Sequence, residues 1–209
     1  MSVPFLTNDQ ISDATLRFLS QYHPEDTIPV PIEEIVELQL HLDIVPTPEL
    51  QRKFQIDGFL SRDFKSIYVD DFVQSSRPTR YRYTLAHEVG HLYLHRELLE
   101  GMVNFNSVAE WQEFVKGMFG RDRDYMEYQG YAFAGYVLVP KHHIEREFLT
   151  CLPEIESQLS QAKEAGISRT AYLDFAVGAM ASKLGGIFDV SAEVIERRIK
   201  ADGLEMRIG

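Results

Sequence analysis

Between Pro78 and His95 the chain carries a helix with two unlike faces, and few folds can satisfy both. Tyr81, Leu85, Val89 and Leu92 recur at helical intervals and make one apolar stripe. At about 100° per residue, His87 and His91 fall on the side of the helix away from Leu85. The stripe needs a hydrophobic core. The imidazole face needs a second neighbour that accommodates polar groups, so this helix has to be wrapped from two directions.

The run His87-Glu88-Val89-Gly90-His91 has the form His-Glu-x-x-His. Two histidines one turn apart project side by side and can offer two nitrogens to a tetrahedral zinc about 2 Å away, with Glu88 beside them to take a proton from the water that zinc activates. A catalytic zinc wants a third protein ligand. Glu127 is a candidate, because Gly130 and Ala134 share its helical face while Ala86 and Gly90 are small residues of the motif helix, and small residues let two helices cross closely. Spacing alone leaves a second reading open, in which Glu127 is an ordinary exposed acid in the charged stretch from Arg121.

The remainder organises around these two helices. Ile11, Leu16 and Leu19 follow Asn8-Asp9 at helical spacing, and Pro31 with Glu33 and Glu34 opens a second helix with acids in its first turn. From Asp43 to Asp70 the pattern shortens to Asp57-Gly-Phe-Leu-Ser and Ser66-Ile-Tyr-Val-Asp around polar Arg62-Asp63, which predicts a small antiparallel hairpin. From Ser75 onward almost everything reads as helical. One helix spans Asp122 to Val139 and stops at Pro140, another runs from Pro140 through Glu147, and helical patterns follow near Glu154 to Glu164, Thr170 to Leu184 and Ala192 to Lys200. The expected fold is α+β. A zincin-like core with a small antiparallel sheet takes residues 1–150, and a helical subdomain packed on it takes residues 151–209.

The stretch Tyr83-Thr-Leu-Ala-His-Glu-Val-Gly-His-Leu-Tyr-Leu-His95, followed by Glu127-x-x-Gly-x-x-Phe-Ala-x-x-x-Leu-x-Pro140, resembles the paired motifs of the ImmA/IrrE family of metallopeptidases. The resemblance covers roughly Ile32 to Gly203. Carried across by position, it implies that His87, His91 and Glu127 bind Zn2+ and that Glu88 is the general base. It also implies a partner: a transcriptional repressor, often of the helix-turn-helix class, cleaved to relieve repression in mobile elements or stress responses. One departure is visible, since Gly130-Tyr131 stands where the family has Ala-Asn, and Tyr131 becomes a candidate for a supporting or substrate-polarising role.

Other histidines are less constrained. His95 lies one turn beyond His91, too close for the third ligand of a metzincin, and fits a role behind the ligands or at the surface. His142 and His143, just after Pro140, could line the cleft and polarise substrate, or simply begin a helix in solvent.

Charge and composition narrow the partners. A net charge of −11 repels phosphate backbones and anionic membranes, and favours a protein substrate with a basic surface. The segment from Ala181 to Lys200 resembles a helix-turn-helix, with a glycine turn, a Ser191 cap and a Val190/Ile195 staple. Glu193 and Glu196 beside Arg197, Arg198 and Lys200 argue for packing over insertion into a DNA groove. The single cysteine, Cys151, has no intramolecular partner and reads as a small buried apolar residue. No signal-peptide pattern opens the chain, and its longest mostly apolar stretch, Gly130 to Val139, is about half a membrane span, so a cytoplasmic setting is expected. The alternative function is a non-proteolytic regulator that binds a repressor or DNA around a structural zinc. Glu88 weighs against it, because a structural site needs no base. Oligomeric state is not encoded in any of these patterns.

Overall fold

A computed structural model describes residues 3–100 and 120–208. Within them the chain is mostly helical with one three-stranded sheet, an α+β architecture. The part of the helical reading that falls on residues 101–119 lies outside the described residues. Packing divides the chain into two units, one of Met1–Asp26 with Pro31–Val137 and one of Thr27–Val30 with Leu138–Gly209.

The first unit opens with helix α1, Asn8–Tyr22. Thr7 caps it reciprocally: its hydroxyl accepts from the Gln10 amide at 3.3 Å, and the Gln10 side chain accepts from the Thr7 amide at 2.9 Å. Such a cap contributes about 1 kcal/mol. Ile11, Ala14, Thr15, Phe18 and Leu19 are its buried face. Leu16, expected in that stripe, is exposed instead, because the face centres on Phe18 and leaves Leu16 on the far side. Helix α2, Ile32–Glu34, runs into a π-turn at Ile35–Gln39 and buries Ile32, Ile35 and Val36.

Strands β1 (Asp43–Thr47), β2 (Gly58–Leu60) and β3 (Ser66–Asp70) form a sheet in the order β1-β3-β2. The hairpin read from sequence is present, with Phe59 opposite Tyr68 and their rings stacked at 4.8 Å. The sheet is mixed, however, because β1 pairs parallel to β3. A parallel neighbour needs a crossover. Here a short helix α3, Leu50–Phe54, supplies it, entered at Glu49 and left at Gln55, both in the left-handed region. Neither position is glycine or asparagine, the residues that normally mark a left-handed backbone in sequence.

Asp70 then ties the sheet to two helices. Its buried carboxylate accepts from the amides of Phe72 and Val73, starting α4 (Asp71–Ser76), and from the amide of Gln51 at the head of α3. Helix α5, Pro78–Glu100, begins with proline, whose missing N–H costs nothing at a helix start. Helix α6 is Gly120–Leu138. Phe133 of α6 is fully buried, with Phe18 of α1 at 5.5 Å and Tyr93 of α5 at 5.6 Å, and this aromatic cluster joins the three helices.

The second unit is helical: α7 (Lys141–Glu164), α8 (Arg169–Phe188) and α9 (Ala192–Ala201). The sequence-based division at 150/151 falls inside α7, whereas packing divides the chain at 137/138. Two short helical patterns are one helix here. It continues through Pro153 because Phe148, Cys151, Ile155 and Leu159 bury a common face, which offsets the hydrogen bond that proline cannot make. The expected glycine turn is also placed differently. Gly185 and Gly186 lie within α8, and the reversal is made by Asp189 at φ 52°. A Cβ at position 185 would come within 2.9 Å of the Val190 carbonyl, so the glycine serves close approach of the returning chain. Ser191 caps α9 through the Val194 amide, and Val190 and Ile195 are both buried across it.

Candidate metal centre

Helix α5 is covered on both sides along its middle, where every residue from Thr84 to His91 is buried. On one side lies β2. A Cβ on Gly58 would meet the Tyr68 carbonyl at 2.7 Å and Thr84 of α5 at 2.8 Å, so only glycine lets strand and helix approach this closely. On the other side lies α6. A Cβ on Gly130 would stand 2.9 to 3.0 Å from the rings of His87 and His91, and one on Gly90 would stand 3.2 Å from the Gly130 carbonyl and from Phe133. The close crossing anticipated from these small residues is what brings the polar face of α5 against α6.

Three donor groups converge there. The Nε2 atoms of His87 and His91 are 2.9 Å apart, and the Glu127 carboxylate lies 3.4 Å from the first and 3.8 Å from the second. All three donor atoms fall within 4.8 Å of one another. Ligands about 2.0 to 2.1 Å from a tetrahedral zinc are themselves about 3.3 Å apart. The observed separations bracket that value, and the donor set of two imidazoles and one carboxylate suits zinc. Among the described residues the buried Nδ1 of His87 has no hydrogen-bond partner.

Electrostatics sort the neighbouring groups by role. Glu88 is buried, and its carboxyl is pushed up to about 7, first by burial and then by the Glu127 charge, against the opposing pull of His87 and the Leu60 amide. That amide, on the free edge of β2, donates to the Glu88 carboxylate at 2.9 Å and fixes its position. His91 is held well below the usual imidazole range by burial and by the adjacent His87 and His95, which keeps it neutral. For His87 burial acts downward, but the Glu127 contact and the Glu88 charge outweigh it and the net direction is upward.

His95 does not join the three donors. It is buried, its Nδ1 lies 3.1 Å from Nδ1 of His91, and its Nε2 lies 2.8 Å from Oε1 of Gln129 on α6. The Gln129 amide nitrogen in turn donates to the Pro4 carbonyl at 2.7 Å. Tyr131 remains half exposed, with its ring 4.3 Å from that of His87 and its carbonyl accepting from the Tyr83 hydroxyl at 2.9 Å. His142 and His143 belong to the second unit, in the first turn of α7, where His142 is exposed and His143 buried. Sequence reasoning missed Gln129 and the Leu60 amide. The one pointer to Gln129 was His95, an imidazole one turn beyond a candidate ligand and in need of a partner.

The chain matches the peptidase family described as the IrrE N-terminal-like domain over residues 53–200. No curated protein matches it. Among solved structures, a Mycobacterium tuberculosis transcriptional regulator aligns over 91% of this chain and 46% of its own, with a TM-score of 0.51 and 12% identity. At that identity the likeness concerns the fold, and this chain spans less than half of the regulator's length. The family match takes in β2, β3, α5 and α6 and therefore the whole convergence of His87, Glu88, His91 and Glu127, so the chain belongs to the ImmA/IrrE family of peptidases through its IrrE N-terminal-like domain.

Proposed function

We propose that the protein is a zinc-dependent endopeptidase that cleaves a DNA-binding transcriptional repressor and so relieves repression. The observation that carries this reading is the meeting of His87, His91 and Glu127 from two helices, beside the buried carboxyl of Glu88. His87, His91 and Glu127 would hold the ion, which supplies Lewis-acid polarisation of the scissile carbonyl and a nucleophile usable at neutral pH. Glu88 accepts the proton of the attacking water on its carboxylate and later delivers it to the leaving amine. Burial raises this carboxyl, and a cation close by would draw it back down toward the base form. The Leu60 amide keeps the carboxylate oriented while its protonation changes.

The three converging donors among the described residues match a catalytic zinc, which keeps a position open, better than a structural one with four protein ligands. Against a nucleic-acid function, Arg198 of α9 is buried and paired with Asp202 at 2.8 Å, and Arg197 is bound to Glu193. A basic repressor as substrate suits the net charge of −11. Among the described residues no helix is long and apolar enough to cross a membrane, and such a substrate would be met in the cytoplasm.

The test is incubation with the repressor encoded beside this protein, with and without a chelator, followed by mass mapping of new termini. Metal-dependent cleavage at defined bonds is expected. A repressor that stays intact in the presence of zinc would refute the proposed activity.

A further inference from the structure

We infer that Gln129 is a positioning residue that selects, through His95, the tautomer of His91 whose Nε2 lone pair faces the metal site. The inference rests on the metal-binding part of the function proposed above. It follows from directionality along one chain of hydrogen bonds. A peptide carbonyl can only accept, so the end of the Gln129 amide at 2.7 Å from the Pro4 carbonyl must be its nitrogen, and Oε1 must face His95. Oε1 can only accept, so His95 donates from Nε2. A neutral His95 then has a lone pair on Nδ1, and His91 must donate to it from its own Nδ1 at 3.1 Å. The proton of His91 is thereby placed on the atom away from Glu127. Its Nε2, the atom within 3.8 Å of the Glu127 carboxylate, is left with a lone pair.

Burial supports the two links from Gln129 to His95 and from His95 to His91, since all three side chains are nearly inaccessible and water cannot substitute for a missing partner there. Burial, with the neighbouring His87, outweighs the upward pull of Gln129 and Glu127 and leaves His95 below the usual imidazole range, consistent with a neutral relay. Histidine ligands are commonly fixed by a carboxylate or a backbone carbonyl on their other nitrogen. Here a second imidazole fills that place and an amide orients it. Among the described residues His87 has no such partner on Nδ1, and the relay reaches His91 alone of the pair.

The experiment uses the full chain, stripped of metal, with 15N-labelled histidine at pH 8. Long-range proton–nitrogen correlations report which ring nitrogen bears the proton, and zinc competition against a chromophoric chelator reports affinity. The wild-type protein should show His91 protonated at Nδ1 and His95 at Nε2. Gln129→Met removes the acceptor at similar length; it should release the preference of both rings and weaken zinc binding about ten- to a hundredfold. His95→Phe, which removes the relay without touching α6, should weaken zinc binding similarly. The wild-type spectrum requires no variant to fold. A wild-type His91 protonated at Nε2, or a folded Gln129→Met protein with unchanged zinc affinity, would overturn the inference. A protein with these tautomers and tight zinc that cleaves no repressor would count against the peptidase reading alone.

Discussion

Helix pairs α5/α6 and α8/α9 use the same means to different ends. Each depends on glycine where backbones come close, Gly90 and Gly130 in the first and Gly185 in the second. Each also buries charge. In α9 the buried Arg198 finds Asp202 one turn along the same helix, and opposite charges cancel locally. Between α5 and α6, two imidazole nitrogens and a carboxylate point at one another across 2.9 to 3.8 Å, with a further carboxyl on Glu88 beside them. Lone pairs gathered in this way repel unless protons or a cation lie among them. Buried charge alone therefore does not mark a site; convergence of acceptors does.

That contrast can be broken at several points. The largest effect should come from Glu88→Gln, which keeps the bond from the Leu60 amide but removes the proton acceptor. Peptidase kcat/KM should fall about 10²- to 10⁴-fold with zinc content unchanged, whereas Glu127→Ala should lose zinc as well as activity; full activity of Glu88→Gln would refute the role given to it. In the second unit, Arg198→Ala strands a buried carboxylate and should cost about 3 to 5 kcal/mol in chemical denaturation. If the pair is structural, zinc affinity should be untouched.

The next effect concerns pH. Glu88 is pushed up to about 7 in the folded protein from an ordinary 4.5, so between those values the folded state holds a proton that the unfolded state releases. Stability of the metal-free protein should therefore fall as pH rises through this window, by roughly 3 kcal/mol in total. Urea titrations of the wild type and Glu88→Gln at both ends would show the difference, and parallel pH dependences would contradict it. The smallest effect is expected for Gly130→Ala. The added methyl must displace the His87 and His91 rings, costing about 1 to 3 kcal/mol shared between stability and zinc affinity. The reciprocal test, Gly185→Ala against the Val190 carbonyl, should cost stability without any change in zinc binding.

Much of the first unit could be read from periodicity, and the failures have physical causes. The α5 stripe, the placement of His87 and His91 away from it, and the small residues of α6 all follow from 3.6-residue geometry. Leu16 looked like a core residue because spacing cannot say which of several apolar arcs is buried. The parallel pairing of β1 was hidden by a crossover whose left-handed positions are Glu49 and Gln55, and the unbroken α7 was hidden by Pro153, a local signal overruled by tertiary burial. Arg198 counted in sequence only as one of the mixed charges of its helix, and its burial against Asp202 was not legible because composition counts charges without their partners.

By itself the sequence determined a helix that presents two histidines and a glutamate on a polar face, and a second helix with a glutamate and the small residues to approach it. Only the tertiary structure decided that Glu127 meets both histidines, that the edge of β2 steadies Glu88, and that Gln129 stands between His95 and the Pro4 carbonyl. Those last contacts join residues 28, 34 and 125 positions apart. Local pattern follows from the repeat of a helix or strand, which every residue obeys with its near neighbours. A hydrogen bond across such separations has no period, and it exists only where packing has already brought the two segments together.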